Sequence, residues 1–136
     1  MTALTIASSA PLTAQQSLKA EIEALNKAMV DAFLKDPASV AKYYTDDARI
    51  LGGGSRSIGR AAIDEYWRGA TMFADWKLEV LEVGGDKHSP WQHGRSTIVS
   101  KSGRTMITEF VGILKRQPDG QLRFYIDMYV GAGPPG

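Results

Sequence analysis

Asp127 is the residue most suited to chemistry, because it interrupts Phe124-Tyr125-Ile126-Asp127-Met128-Tyr129-Val130, the most apolar strand-like run of the chain. A carboxyl group held among apolar side chains resists ionisation, so its pKa climbs toward neutrality, where it can take up and return a proton. His93 shares a parity with Trp91, Arg95 and Thr97, and an imidazole beside an arginine can polarise a carbonyl or shuttle a proton. Asp127 and His93 are therefore the candidate catalytic residues. Strand alternation offers a second reading of both. It puts Arg123, Tyr125, Asp127 and Tyr129 on one face and Leu122, Phe124, Ile126 and Met128 on a core face. Asp127 would then pair with an arginine at an interface, and His93 with Arg95 would be an exposed or hairpin-end pair. Glu109 divides the same way: a partner for Asp127 if it faces inward, a salt-bridge residue if it faces out.

A second set of residues could bind rather than react. Tyr44 and Trp67 carry large rings with one polar atom each, which can orient a ligand. Met106, Phe110, Ile126 and Met128 would complete an apolar substrate-binding wall. The same residues serve equally well as ordinary core. Other chemistries lack a pattern. Cysteine is absent, and the two histidines show neither HxxxH nor HxH spacing, so no metal site and no cofactor are implied. Gly52-Gly53-Gly54-Ser55-Arg56-Ser57 lacks the lysine of a phosphate loop and reads as a pocket rim. Asp46-Asp47 reads as a cap or turn.

The elements that must position these side chains are legible from periodicity. Thr13-Ala14-Gln15-Gln16 fits a capping box, and Leu18, Ile22, Leu25, Met29 and Phe33 follow at helical spacing. Asp36-Pro37 restarts the chain as a cap with proline at the first helical position, predicting a short helix to Tyr43 or Tyr44. After a first strand and the glycine loop, Gly59 opens a third helix with Ile63, Tyr66, Trp67 and Ala70 on one face. From Trp76 the period becomes two. Trp76, Leu78 and Val80 alternate and Leu81 and Val83 continue on the other parity, which predicts a bulge. Trp91–Ser100, Thr105–Lys115 and Leu122–Val130 read as further strands, with turns at Lys101-Ser102-Gly103 and Gln117-Pro118-Asp119-Gly120. Three helices followed by four long antiparallel strands predict an α+β fold, a curved antiparallel sheet packed on three N-terminal helices.

With 136 residues, the chain is long enough for one domain, expected at 13–130, with a disordered tail at 1–12 and a flexible tail at 131–136. Sixteen Lys+Arg balance fifteen Asp+Glu, and no basic run exists to neutralise phosphates, so nucleic acid is not an expected partner. No apolar run approaches the roughly 20 residues of a membrane span, and membrane is not an expected partner either. Met1–Leu12 has no basic segment and no sustained apolar core, unlike a secretory signal. With no cysteine, the expectation is a cytoplasmic protein.

Taken in order, the Asp-Pro helix, Tyr43-Tyr44-Thr45-Asp46-Asp47-Ala48, the Gly59-Arg60-Ala61-Ala62-Ile63 helix start and the Lys115-Arg116-Gln117-Pro118-Asp119-Gly120 hairpin resemble the nuclear transport factor 2-like superfamily. Within it, the SnoaL-like, ketosteroid-isomerase-like branch is the nearest in pattern, over about Leu18 to Tyr129. The resemblance implies a cone-shaped half-barrel around an apolar pocket, a homodimer, and functions ranging from isomerases and lyases to binding modules. In the isomerases, the base, the oxyanion tyrosine and the protonated aspartate would fall near Gly52, Ala28 and Gly112, and none of the three is retained. An aspartate at the place of Asp127 is common in the SnoaL-like branch. The expectation is thus a small cofactor-independent isomerase- or lyase-like enzyme for a hydrophobic, carbonyl-bearing molecule. The alternative is a non-catalytic ligand-binding or dimer-forming module whose outer sheet face, with Tyr125, Tyr129, Val111 and Ile113, meets a second copy.

Overall fold

The chain enters its first helix, α1 (Ala14–Lys35), through the expected capping box, Thr13 and Gln16 satisfying each other's backbone N–H groups. The computed structural model describes residues 10–131, so the expected tails lie largely outside the described residues. Gly131, read as the first tail residue, instead closes the last strand. Asp36 ends α1 and caps the next turn through its side chain. That turn, Pro37–Tyr43, is a 3₁₀-helix rather than an α-helix, so the helical layer is two α-helices and one tighter turn.

The first strand, β1 (Tyr44–Gly52), returns through Gly53-Gly54 into β2 (Ser55–Ile58). Both glycines have positive φ, +60° and +75°, which is what a two-residue hairpin turn matched to strand twist requires. The glycine run is therefore a hairpin turn, and Ser55–Ile58, absent from the sequence expectation, is a strand. Helix α2 (Arg60–Arg68) follows, then β3 (Phe73–Gly84), β4 (Trp91–Ser100), β5 (Thr105–Arg116) and β6 (Leu122–Gly131). The sheet order is β2-β1-β6-β5-β4-β3. The four long strands pair antiparallel as expected, but β1 runs parallel to β6, so the curved sheet is mixed.

Register slips set which side chains face inward; besides those between Tyr44 and Arg49 in β1 and between Phe73 and Asp75 in β3, two matter most here. In β3 the register slips between Val80 and Glu82, leaving Leu81 as the extra residue at the predicted place. In β6 a second slip was not predicted. Ile113 faces Ile126 while Leu114 faces Phe124, so Tyr125 is the extra residue. A bulge reverses the face of everything beyond it. Leu122 and Phe124 point into the core; Tyr125 lies outside, where the ammonium of Lys115 sits 3.4 Å from its ring centroid. Past the bulge Asp127 and Tyr129 point inward, and Met128 and Val130 are exposed.

The inner face packs on α1 and α2 through Ile22, Met29, Ile63, Leu114 and Phe124. One polar pair crosses this core. Asn26 of α1 and Gln92 of β4 exchange two amide hydrogen bonds, 2.8 and 3.0 Å, fully enclosed. Each amide satisfies the other, so burial leaves no orphan at that crossing.

Candidate functional site

Between the helices and the inner face of β3–β6 lies an open cavity of about 600 Å³, within the size range of small-molecule sites. Aromatic rings and methionines form most of its wall. Phe33 and Trp76 pack edge-on at 5.4 Å, Trp67 and Trp76 lie 5.4 Å apart, and Tyr44 stacks on Phe124 at 5.4 Å. Met72, Met106 and Glu65, which also line the cavity, are exposed.

Asp127 stands in this wall. Its carboxylate accepts a 2.7 Å hydrogen bond from the Tyr44 hydroxyl. Burial pushes its pKa up and the Tyr44 bond pulls it partly back, to about 6. The Tyr44 hydroxyl is driven well above its ordinary value by burial and by the adjacent carboxylate. Tyr66 rises through burial, then through Tyr129 and Asp127. The hydroxyls of Tyr44 and Tyr66 thus stay protonated, while the carboxyl group is poised near neutrality.

Tyr44 is held where the 3₁₀-helix becomes β1. Arg60, at the start of α2, donates to the carbonyls of Ala41 and Tyr44 and pairs with Asp46 and Asp64. The Gly59-Arg60 sequence therefore does more than start a helix: it clamps the segment that carries Tyr44. Asp46 belongs to this clamp, while Asp47 accepts from Thr45 and pairs with Lys115 at 3.8 Å; the two acids, read as a cap or turn, lie instead within β1. Elsewhere in the wall, the Trp76 indole donates to Ser96 at 2.8 Å. The buried Trp67 indole N–H has no hydrogen-bond partner, though its proximity to Tyr44 tempers the upward shift of that hydroxyl.

Of the residues singled out in the sequence, Asp127, Tyr44, Trp67, Met106 and Phe110 line the cavity together. His93 does not. It lies on the outer face of β4, 3.4 Å from Glu109, because the inward positions of that strand are Gln92, Gly94 and Ser96. Ile126 and Met128 also fall outside the cavity; the Tyr125 bulge turns both toward the outer face, where Met128 is 48% exposed. Tyr129, assigned to the back of the sheet, instead lines the cavity, its ring packed on Gly52, where a Cβ would come within 2.7 Å of it. Glu109 takes its salt-bridge reading. Tyr129 could not have been found by alternation, since the register slip has no motif behind it.

The positions corresponding to the isomerase residues have structural occupants. Gly112 stands across from Asp127 in the β5–β6 ladder, and its missing side chain is filled by the Phe124 ring, 2.4 Å from where a Cβ would stand. Among the described residues, no cluster of three or more histidine, cysteine, aspartate or glutamate side chains could hold a metal ion. No helix among them is long and apolar enough to cross a membrane.

No family profile matches the chain, and no curated protein matches it in sequence. Solved structures do match in fold. A ketosteroid isomerase-like protein from Erwinia carotovora atroseptica is 22% identical, with a TM-score of 0.70 over 85% of this chain and 96% of its own. A nuclear transport factor 2-like protein with a cystatin-like fold from Novosphingobium aromaticivorans is 17% identical, with a TM-score of 0.72 over 87% of this chain and 84% of its own. A nuclear transport factor 2-like superfamily protein from Salmonella enterica is 16% identical, with a TM-score of 0.67 over 88% of this chain and 94% of its own. The chain shares its fold with these ketosteroid isomerase-like and nuclear transport factor 2-like proteins.

Proposed function

We propose that the protein is a cofactor-independent isomerase- or lyase-like enzyme acting on a hydrophobic, carbonyl-bearing small molecule. The supporting observation is the Asp127–Tyr44 pair in the wall of an apolar, open cavity. A carboxylate with a pKa of about 6 is largely ionised at neutral pH yet basic enough to accept a proton from carbon next to a carbonyl. The proton passes to Asp127 and the bonding electrons move onto the carbonyl oxygen. Returning the proton to another carbon gives an isomerase, and expelling a leaving group from the β-carbon gives a lyase. Tyr66 and Tyr129, which line the same cavity, carry the hydroxyls that would have to reach the developing enolate.

Proton exchange tests this reading without the natural substrate. 2-Tetralone in deuterium oxide exchanges its C1 hydrogens measurably by NMR. The protein is expected to accelerate exchange above the buffer rate, and Asp127→Asn to abolish the acceleration. Saturable binding of the ketone with no acceleration would leave only a ligand-binding module.

The second reading, assembly with another copy, is favoured by the outer face, where Val111 and Met128 are cross-strand partners and Val130 is adjacent, all three exposed. Sedimentation equilibrium at micromolar concentration checks it, a monomer counting against the homodimer.

A further inference from the structure

The charge lining the cavity is of one sign. Asp127 and the exposed Glu65 line it, and among the described residues no lysine, arginine or histidine does. The hydrogen-bond partner of the Asp127 carboxylate is a neutral phenol. A carboxylate partly withdrawn from water is commonly paired with a counter-ion, and among the described residues lining the cavity there is none. The remaining surface is rich in aromatic faces, which attract cations through their quadrupoles. A ligand anion would meet two carboxylates and no cation. A neutral ligand would fill the apolar volume and leave the carboxylate uncompensated. An ammonium group would provide the missing charge, donate to the carboxylate oxygen not committed to Tyr44, and lie against the neighbouring rings.

We propose that this cavity binds hydrophobic amines in their protonated form, the ammonium pairing with Asp127 beside Tyr44, Tyr66 and Trp67. The inference rests on the reading of Asp127 as a ligand-facing group, and it adds a ligand class to that site. The amine takes the position of the carbonyl compound and competes with it.

The pH window follows from the titratable groups that line the cavity with Asp127. These are Tyr44 from β1, which bonds it, Tyr66 with Glu65 from α2, and Tyr129 from β6 itself. The cavity-lining side chains of α1, β3, β4 and β5, such as Met29, Trp76, Ser96, Thr108 and Phe110, are uncharged. Tyr44 and Tyr66 are pushed further from ionisation by burial. Amine binding therefore strengthens as Asp127 ionises, through about pH 6, and declines when the amine loses its own proton.

Three ligands with one skeleton test this by isothermal calorimetry: 2-naphthylmethylamine, 2-naphthylmethanol and 2-naphthoate. At pH 7.5 the amine is expected to bind about tenfold more tightly than the alcohol or better, the value of one charge-assisted hydrogen bond, with the carboxylate weakest. Asp127→Asn should shrink the amine's advantage over the alcohol to about twofold or less, whatever happens to the alcohol itself. In the unmodified protein the preference for amine over alcohol should shrink from pH 7.5 to pH 5, a measurement that needs no variant. Equal binding of amine and alcohol, or a preference that survives both the substitution and the lower pH, overturns the proposal. Equal binding alongside Asp127-dependent exchange of 2-tetralone overturns the amine site alone. A clear amine preference without that exchange overturns the enzymatic reading alone.

Discussion

If Asp127 is held against its own ionisation, the protein loses stability as pH rises across the acid range, and Asp127→Asn removes that loss. The carboxyl group has a folded-state pKa of about 6, against about 3.9 for an unfolded aspartate. Below pH 4 both states are protonated, and the group favours neither. Between pH 4 and 6 the unfolded chain gives up its proton while the folded protein keeps it, so stability falls with rising pH. At about 1.4 kcal/mol for each pKa unit separating the two states, the full loss by pH 7 is about 3 kcal/mol. Water entering the open cavity lowers this figure, and about 1–3 kcal/mol is the expected range. The assay is urea denaturation of both proteins at half-unit steps from pH 4 to 7.5. Other carboxylates, including Asp47 and Asp86, whose pKa values are lowered by hydrogen bonds and so act in the opposite direction, cancel in the difference between the two proteins. The asparagine variant should gain on the parent steadily between pH 4 and 6 and hold a constant difference above pH 7. A difference that does not change with pH would show that Asp127 is solvated, and the chemistry assigned to it would have no basis.

Other substitutions probe the frame around this group. Asn26→Ala should cost about 2–4 kcal/mol by urea denaturation, because it leaves the Gln92 amide enclosed without a partner; replacing both residues by leucine should cost less than that single change. Gly112→Ala should cost about 1–3 kcal/mol, since the added methyl meets the buried Phe124 ring at 2.4 Å. That ring stacks on Tyr44, so near-ultraviolet circular dichroism should change as well. His93→Ala, on the opposite face of the sheet from the cavity, should leave 2-naphthylmethanol affinity by calorimetry within twofold of the parent, and a loss greater than tenfold would contradict its placement.

The parts of this structure legible in the sequence are those governed by local rules. The capping box at Thr13, the Asp36-Pro37 restart and the bulge at Leu81 each follow from a pattern within a few residues. The parallel pairing of β1 with β6 did not, because it joins segments far apart in sequence and no local period encodes a partner's direction. The candidate site was divided the same way. Tyr44, Trp67, Met106 and Phe110 were found by residue type, and each lies upstream of β6. Beyond Tyr125 the alternation argument reversed, and Ile126, Met128 and Tyr129 were each given the wrong face.

The physical origin of that reversal is also what places the acid. Tyr125 lies under the Lys115 ammonium and near the Arg49 guanidinium, contacts that hold its ring outside while Phe124 remains among the core rings. Two adjacent residues with opposed commitments are satisfied by regular pleating, but continuing that pleat would send Asp127 outward and Met128 inward. The extra residue absorbs this conflict in favour of the acid. It places Asp127 against the Tyr44 hydroxyl, at the cost of exposing two apolar side chains, Met128 and Val130, on the outer face. A sheet folded for stability alone would bury the methionine and leave the carboxylate in water. The inverted arrangement is what both proposals would need: an inward acid for the cavity and an apolar outer face for a second copy.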